Sequence, residues 1–287
     1  MRFLLLAIVR KAQMVVLSPV VWVKRALSNQ EDYAANAPIL INSIPKSGTH
    51  LLAQILQAIP GITSYGRLFA TIPSFPHRVV PSHRMKAKLN SIVPGELIKG
   101  HIHFDAGIRD VINHTHACHF FICRDPRDVV VSEVHYLLEH ARWHGMHPYF
   151  RSLPDHDARI AFCITGVYKG KSIPEYPNIE IRLESYLAWE QQPEVCAVRF
   201  EDLLGLQQAE TFDRIFEHVQ ACPGAQLDRD TILKGMYSSM HSQRAHTFRK
   251  GSVGQWAQEF SQGNKALFKQ TAGDLLIQLG YETDLNW

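Results

Sequence analysis

The sequence predicts a single α/β domain with a central parallel sheet flanked by helices. Three observations point there. Short apolar runs of strand length recur at Ile39–Ile44, Glu96–His101, Cys118–Cys123 and Val195–Phe200. Stretches with helical apolar spacing separate them, as a sheet covered on both faces requires. No internal repeat, low-complexity tract or composition break marks a second domain.

Ile39–Ile44 runs into a turn containing Pro45 and Gly48, and apolar residues from Thr49 to Ile59 then return at helical spacing. Glu96–His101 is the second strand. The third, Cys118–Cys123, is all apolar but for one histidine; a turn at Asp125-Pro126 follows it, then a helix from Arg127 to about Arg142. Val195–Phe200 is the fourth. Ile179–Gln191, Ala209–Val219, Thr231–Met240 and Asn264–Leu279 read as helices. Pro60–Pro94 and Gly145–Asp155 carry no clear period and read as long loops, a form that lids and binding loops often take.

Composition narrows the function. In 287 residues, 46% hydrophobic and 20% charged side chains exclude a disordered or collagenous chain and a polytopic membrane protein. This length buries a sizeable core without metal or disulfide staples. Thirty Lys and Arg against 27 Asp and Glu leave +3, too small a surplus to argue for nucleic acid. An anionic ligand must therefore be held by a local cluster. The five cysteines contain no CxxC pair and an odd count, which fits a reducing, cytoplasmic setting better than a disulfide scaffold.

Residues 1–30 read differently from the rest, as an apolar and basic helix. Between Phe3 and Val23, Arg10 and Lys11 would cost roughly 5–7 kcal/mol in a spanning helix, and twelve Leu, Ile, Val and Phe residues would return about 4–7 kcal/mol. Spanning is near break-even. The run Phe3–Val9 is short for a signal peptide, and no small-residue cleavage site follows it. The flanking cations suit peripheral contact of residues 1–27 with an anionic membrane face. Packing on the protein's own core is the alternative. The domain proper is expected over 37–287.

Three motifs carry chemistry. The first, Ile44-Pro45-Lys46-Ser47-Gly48-Thr49-His50, joins a strand to a helix N-terminus, where backbone N–H groups favour an anion. Lys46 adds a charge, and Ser47 and Thr49 add hydroxyl donors. It lacks the GxxxxGK[ST] spacing of a Walker A loop. The second, Arg124-Asp125-Pro126-Arg127-Asp128-Val129-Val130-Val131-Ser132, puts Arg124 at the carboxyl edge of a strand and Ser132 two helical turns on. The third, Phe248-Arg249-Lys250-Gly251-Ser252-Val253-Gly254-Gln255-Trp256, sets adjacent cations beside glycines that permit close backbone approach. Taken singly, each also reads as an ordinary turn or a solvated charge network.

In this order the motifs resemble those of the nucleotide-dependent sulfotransferase family. PKSGTH is similar to its 5′-phosphosulfate loop, RDPRDVVVS to its 3′-phosphate motif, FRKGSVGQW to its C-terminal RKGxxGDW segment, and Val198–Leu203 to its YEDM stretch. The resemblance runs from about Ile39 to Trp256. It implies a P-loop-kinase-like domain that binds 3′-phosphoadenosine-5′-phosphosulfate (PAPS) as co-substrate and needs no metal. It further implies that Lys46 stabilises the leaving phosphate while Ser47, Gly48, Thr49 and His50 bind the 5′-phosphate. Arg124 and Ser132, joined by Arg249, Lys250 and Gly251, would hold the 3′-phosphate; Phe200 and Tyr237 would meet the adenine. The family's base is a histidine just after a lysine, and Lys99-Gly100-His101 fits, with His103 as the runner-up. Ala257 and Ala266 replace charged residues of the family's dimerisation motif, so that dimer is not implied and the oligomeric state stays open.

Two other readings remain. A Mg-dependent nucleotide kinase would share the sheet and first loop, and a catalytically silent nucleotide-binding, membrane-associated protein would share the motifs. The 16 histidines include spacings such as His101/His103, His114/His116/His119 and His140/His144, but no HExxH occurs. The acceptor is expected to be a small-molecule or glycolipid hydroxyl held by Pro60–Pro94 and Tyr136–Tyr176. Tyr65, Phe69, Phe75, Trp143, Tyr149 and Phe150 are the wall candidates.

Overall fold

The computed structural model describes residues 17–74, 77–140, 144–167, 176–241 and 252–287. It is built on one five-stranded, wholly parallel sheet in the order β2-β3-β1-β4-β5, with β1 Ile39–Ser43, β2 Leu68–Ala70, β3 Leu97–His101, β4 Cys118–Cys123 and β5 Val195–Arg199. β1 and β4 are buried along their whole length, which is why they read as unbroken apolar runs instead of alternating ones. The two earlier neighbours in sequence lie on one side of β1 and the two later ones on the other. The strand order therefore reverses at β1, and ligands of open α/β sheets bind outside the carboxyl ends at that place.

The described residues gather into two compact units. Among the described residues, the sheet unit draws on 17–71, 80–123 and 188–241. Its helices among the described residues are α1 (17–27), α2 Gln30–Ala35, α3 Thr49–Leu56, α4 Ser82–Leu89, α5 Ala106–His114, α10 Gln208–Gln220 and α11 Arg229–His241. On one face Ile39, Ile41, Phe120, Ile122 and Val198 pack against Leu52 and Ile55 of α3, Phe212 and Ile215 of α10, and Met236 of α11. On the other, the fully buried Trp189 meets the edge of His119 and donates its indole N–H to Ile102 O at 2.9 Å. The helical unit draws on the described residues of 72–79, 124–187 and 252–287 and holds α6 Pro126–His135, α7 His147–Ser152, α8 His156–Thr165, α9 Ile179–Leu187, α12 Trp256–Glu259 and α13 Gln262–Gln278.

Several expectations needed correction. Pro60–Pro94 is not one long loop: it contains β2 and α4, a three-residue edge strand and a helix with only two buried residues, too little apolar pattern to show a period. Gly145–Asp155 contains α7. The helix expected to reach Arg142 stops being α-helical at His135 and passes into a π-helical turn, Tyr136–His140. The cysteines are not all free thiols. Cys118 at the start of β4 and Cys222 just after α10 form a disulfide across 104 positions, a pairing no local spacing announces.

Candidate active site

The end of β1 is where the apolar run turns polar while staying buried: Asn42 and Ser43 are both fully shielded. Buried polar groups must be bonded, and these two join β1 to the end of β3. Asn42 Oδ1 accepts from the N–H of Ile102 at 2.9 Å and of Ser43 at 3.0 Å, and its Nδ2 donates to Ile102 O at 3.0 Å. Ser43 Oγ lies within hydrogen-bonding distance of Gly100 O, at 3.1 Å, and shares a hydrogen bond of 2.7 Å with Thr49 Oγ1. His101 Nδ1 lies 3.0 Å from Ser43 Oγ and 3.2 Å from Ser43 O. A carbonyl oxygen can only accept, so in the contact with Ser43 O it is Nδ1 that donates. Nε2 is thereby left as the basic nitrogen of the ring.

The loop between Ser43 and Thr49 is backbone-built. Lys46 and Gly48 have φ of 71° and 97°, and Gly48 is the N-cap of α3 without a side chain to cap it. A Cβ at Gly48 would strike the ring of Phe200, which lies beneath the loop in the core. Ser47 Oγ is buried without a hydrogen-bond partner, and one turn of helix dipole points at the same place. An orphaned donor beside an uncapped helix N-terminus fits an oxyanion ligand.

Lys46 and Lys99 act on His101. Burial chiefly, and then these two positive charges, push its pKa from 6.5 down to about 4, against the hydrogen bond to Ser43 that raises it. Thus the imidazole is neutral at pH 7 and able to accept a proton. His103 is lowered as well, by burial, and its backbone N–H is held by Thr71 Oγ1 at 3.0 Å. The sequence-derived set Lys46, Ser47, Gly48, Thr49, Lys99 and His101 therefore forms one constellation at the carboxyl ends of β1 and β3. His50 lies in the first turn of α3. Tyr237 packs its ring on Phe212 at 4.7 Å, at the edge of the core.

In the helical unit, the turn after β4 is built from ion pairs. Asp125 caps α6 and pairs with Arg127 at 2.8 Å. Asp128, fully buried, accepts from Arg124 at 3.1 Å and from the backbone N–H groups of Gly254 at 2.9 Å and Trp256 at 3.1 Å. Arg124 also donates to Ser252 O at 3.1 Å. Arg127 lies between the rings of Trp256, 3.8 Å away, and Trp287, 4.5 Å away. Glu259 accepts from His135 at 2.9 Å and His156 at 3.0 Å. Ser132 is one helical turn beyond Asp128 and so shares its face of α6. Arg249, Lys250 and Gly251 lie outside the described residues, as do Phe75 and Trp143.

Sequence reasoning missed Asn42, Ser43 and the fastening role of Asp128. The signal for the first two was present, since a polar pair closing a wholly apolar strand is costly unless used. Two acceptor-wall candidates, Tyr65 and Phe69, share one cavity. Strand pairing sets Ala70 beside His101 and Thr63 beside Glu96, so Tyr65 falls beside the amino-terminal half of β3. Phe69 pairs with Gly100, one residue before His101, and its side chain and Tyr65 line a cavity of about 310 Å³ with Leu17, Val21 and Lys88. Phe150 is fully buried against Phe162, with Tyr149 packed on the same ring. Among the described residues, three metal-ligand side chains converge only at Cys118, His218 and Cys222, and not at the histidine spacings singled out above.

A parallel sheet whose central strand ends in a glycine-turned, lysine-bearing loop defines an α/β protein of P-loop-kinase-like build. The chain belongs to the sulfotransferase family: the family profile "Sulfotransferase domain" matches residues 36–280. Among solved structures, a mouse sulfotransferase, SULT7A1, complexed with PAP superposes with a TM-score of 0.56 at 19% identity, over 91% of this chain and 92% of that one. Retinol dehydratase with androsterone and the inactive cofactor PAP gives 0.54 at 15% identity, over 86% and 83%. The same enzyme with retinol and PAP gives 0.52 at 14% identity, over 86% and 84%. Comparison by sequence with curated proteins finds no match.

Proposed function

We propose that the protein moves a sulfuryl group from PAPS to the hydroxyl of a small-molecule or glycolipid acceptor by in-line displacement, without a metal, using residues 37–287. The observation that carries this reading is the node of Ser43, Thr49 and His101 with Lys46 and Lys99 bearing on it. A base kept neutral beside two cations suits a reaction in which a proton leaves one oxygen while negative charge grows on another.

In that reaction the acceptor oxygen attacks sulfur as the bond from sulfur to the phosphate oxygen breaks. The hydroxyl proton passes to Nε2 of His101, and the electron pair stays on the departing 3′,5′-bisphosphate. Lys46 and the loop N–H groups stabilise that charge, and Ser47 supplies a donor from within the buried loop. Ser43 holds His101 in the tautomer the step requires. Arg124 and Ser132 take the 3′-phosphate, the role their family resemblance gives them. One solved structural neighbour, retinol dehydratase, was crystallised with androsterone and with retinol, both apolar alcohols; an apolar alcohol is the acceptor class to try first.

The test is calorimetry in chelator followed by an acceptor screen. Adenosine 3′,5′-bisphosphate should bind without metal and more tightly than adenosine 5′-monophosphate, and labelled sulfate should pass to an alcohol or a glycolipid extract. Preference for Mg-ATP would make the protein a kinase, and donor binding without transfer to any acceptor would make it a silent binder.

A further inference from the structure

The first helix is amphipathic in the wrong sense for a protein surrounded by water. Its inner side is fixed by contacts: Val21 is buried with Tyr65 and Val93, Leu17 packs beside it, and Arg25 Nε donates to Asn90 O at the end of α4. At 100° per residue, Pro19, Val20, Trp22, Val23, Ala26 and Leu27 fall on the opposite side, within an arc of about 160°. All six are exposed, Trp22 at 72% and Leu27 at 78%, and none is polar. A helix edge of a monomeric protein turns charged residues outward; this one turns out a Trp and a Leu.

The charges around that arc say what covers it. Residues 1–30 hold five Lys and Arg and no Asp or Glu. Lys24 and Arg25 border the arc, and α4, tied to α1 through Arg25, adds Arg84, Lys86 and Lys88 without an acid of its own. A second protein surface would meet this with acidic residues at defined places. An anionic bilayer meets it anywhere along its plane, with apolar depth for Trp22 and Leu27 and phosphates for the cations. We propose that α1 seats the protein on an anionic membrane surface, its apolar arc at the headgroup boundary and the α1 and α4 cations facing lipid phosphates. This stands apart from the catalytic reading and does not depend on it.

Flotation of the full-length protein tests it, with vesicles of phosphatidylcholine alone or mixed with phosphatidylglycerol. The wild type should float with the mixed vesicles, and high salt should release it. Trp22→Glu with Leu27→Glu should abolish flotation, and Arg84→Ala with Lys88→Ala should weaken it about thirtyfold. All four positions are exposed, so the thermal midpoint and affinity for adenosine 3′,5′-bisphosphate should not change. A wild type that stays in solution with both vesicle types overturns the proposal. So does equal, salt-insensitive binding to both. A wild-type dimer that Trp22→Glu dissociates would assign the face to a second copy of the chain and overturn the lipid assignment.

Discussion

The loop after β1 and the turn after β4 both gather positive groups, yet they are assembled in opposite ways. Residues 43–49 form the first from a single stretch of chain, with conformation doing most of the work: two left-handed positions, an uncapped helix and a serine without a partner. The second is stitched across more than 120 positions by one buried carboxylate, with Asp128 holding Arg124 and the backbone at Gly254 and Trp256. A site made from backbone tolerates side-chain changes and fails when φ changes. A site made from buried charge fails when a charge is removed, because its partner is left uncompensated.

The comparison breaks if the substitutions below do not divide along that line. His101→Ala should have the largest effect, a fall in kcat of about 10²- to 10⁴-fold with the affinity for adenosine 3′,5′-bisphosphate unchanged, read by steady-state kinetics and calorimetry. Asp128→Asn should cost about 3–5 kcal/mol of stability in denaturant titration. It should also weaken adenosine 3′,5′-bisphosphate binding more than 5′-monophosphate binding, which a merely structural loss would not do. Lys46→Ala should lower kcat about 10²- to 10³-fold while the thermal midpoint holds, since Lys46 is not part of the fold's core. Gly48→Ala should destabilise by about 1–3 kcal/mol from its positive φ, with more from the contact with Phe200. Adding Phe200→Leu should recover only the second part.

The smallest effect is on pH dependence, and its sign is fixed. In the proposed reaction His101 must be unprotonated to accept the hydroxyl proton, and burial lowers its pKa in the folded protein to about 4. Log kcat/KM should therefore be insensitive to this group from pH 8 down to about 5 and fall only below that. Stability should decline earlier. Between pH 6.5 and 4 the unfolded chain takes up protons that folded His101 and His119, the latter held near 3 by burial and by His218, refuse. Chemical denaturation across that range checks it. An unfolding free energy that stays flat from pH 6.5 to 4 would mean that both imidazoles are better solvated than their surroundings imply.

Much of this was legible before any coordinates. Buried parallel strands announce themselves as apolar runs, so β1, β3, β4 and β5 were found within a residue or two. The edge strand β2 was not, because three residues at a sheet margin make no period. The loop motif pointed to Lys46, Ser47, Gly48 and Thr49 because a strand–glycine–helix turn is local. Ser43's hold on His101 was invisible, since it crosses from β1 to β3 over 58 positions.

What the sequence by itself determined is the alternation of strand and helix, the order of the three family-like motifs and the cationic, acid-free N-terminal stretch. All of these are written in neighbouring residues, where spacing and composition act directly. Only the tertiary structure decided which nitrogen of His101 is basic, that Asp128 fastens two distant segments, that Cys118 meets Cys222, and that the apolar side of α1 faces outward. Each of those depends on which groups are shielded from water and brought within bonding distance. Burial and long-range contact are properties of the folded chain, and no local run of residues encodes them.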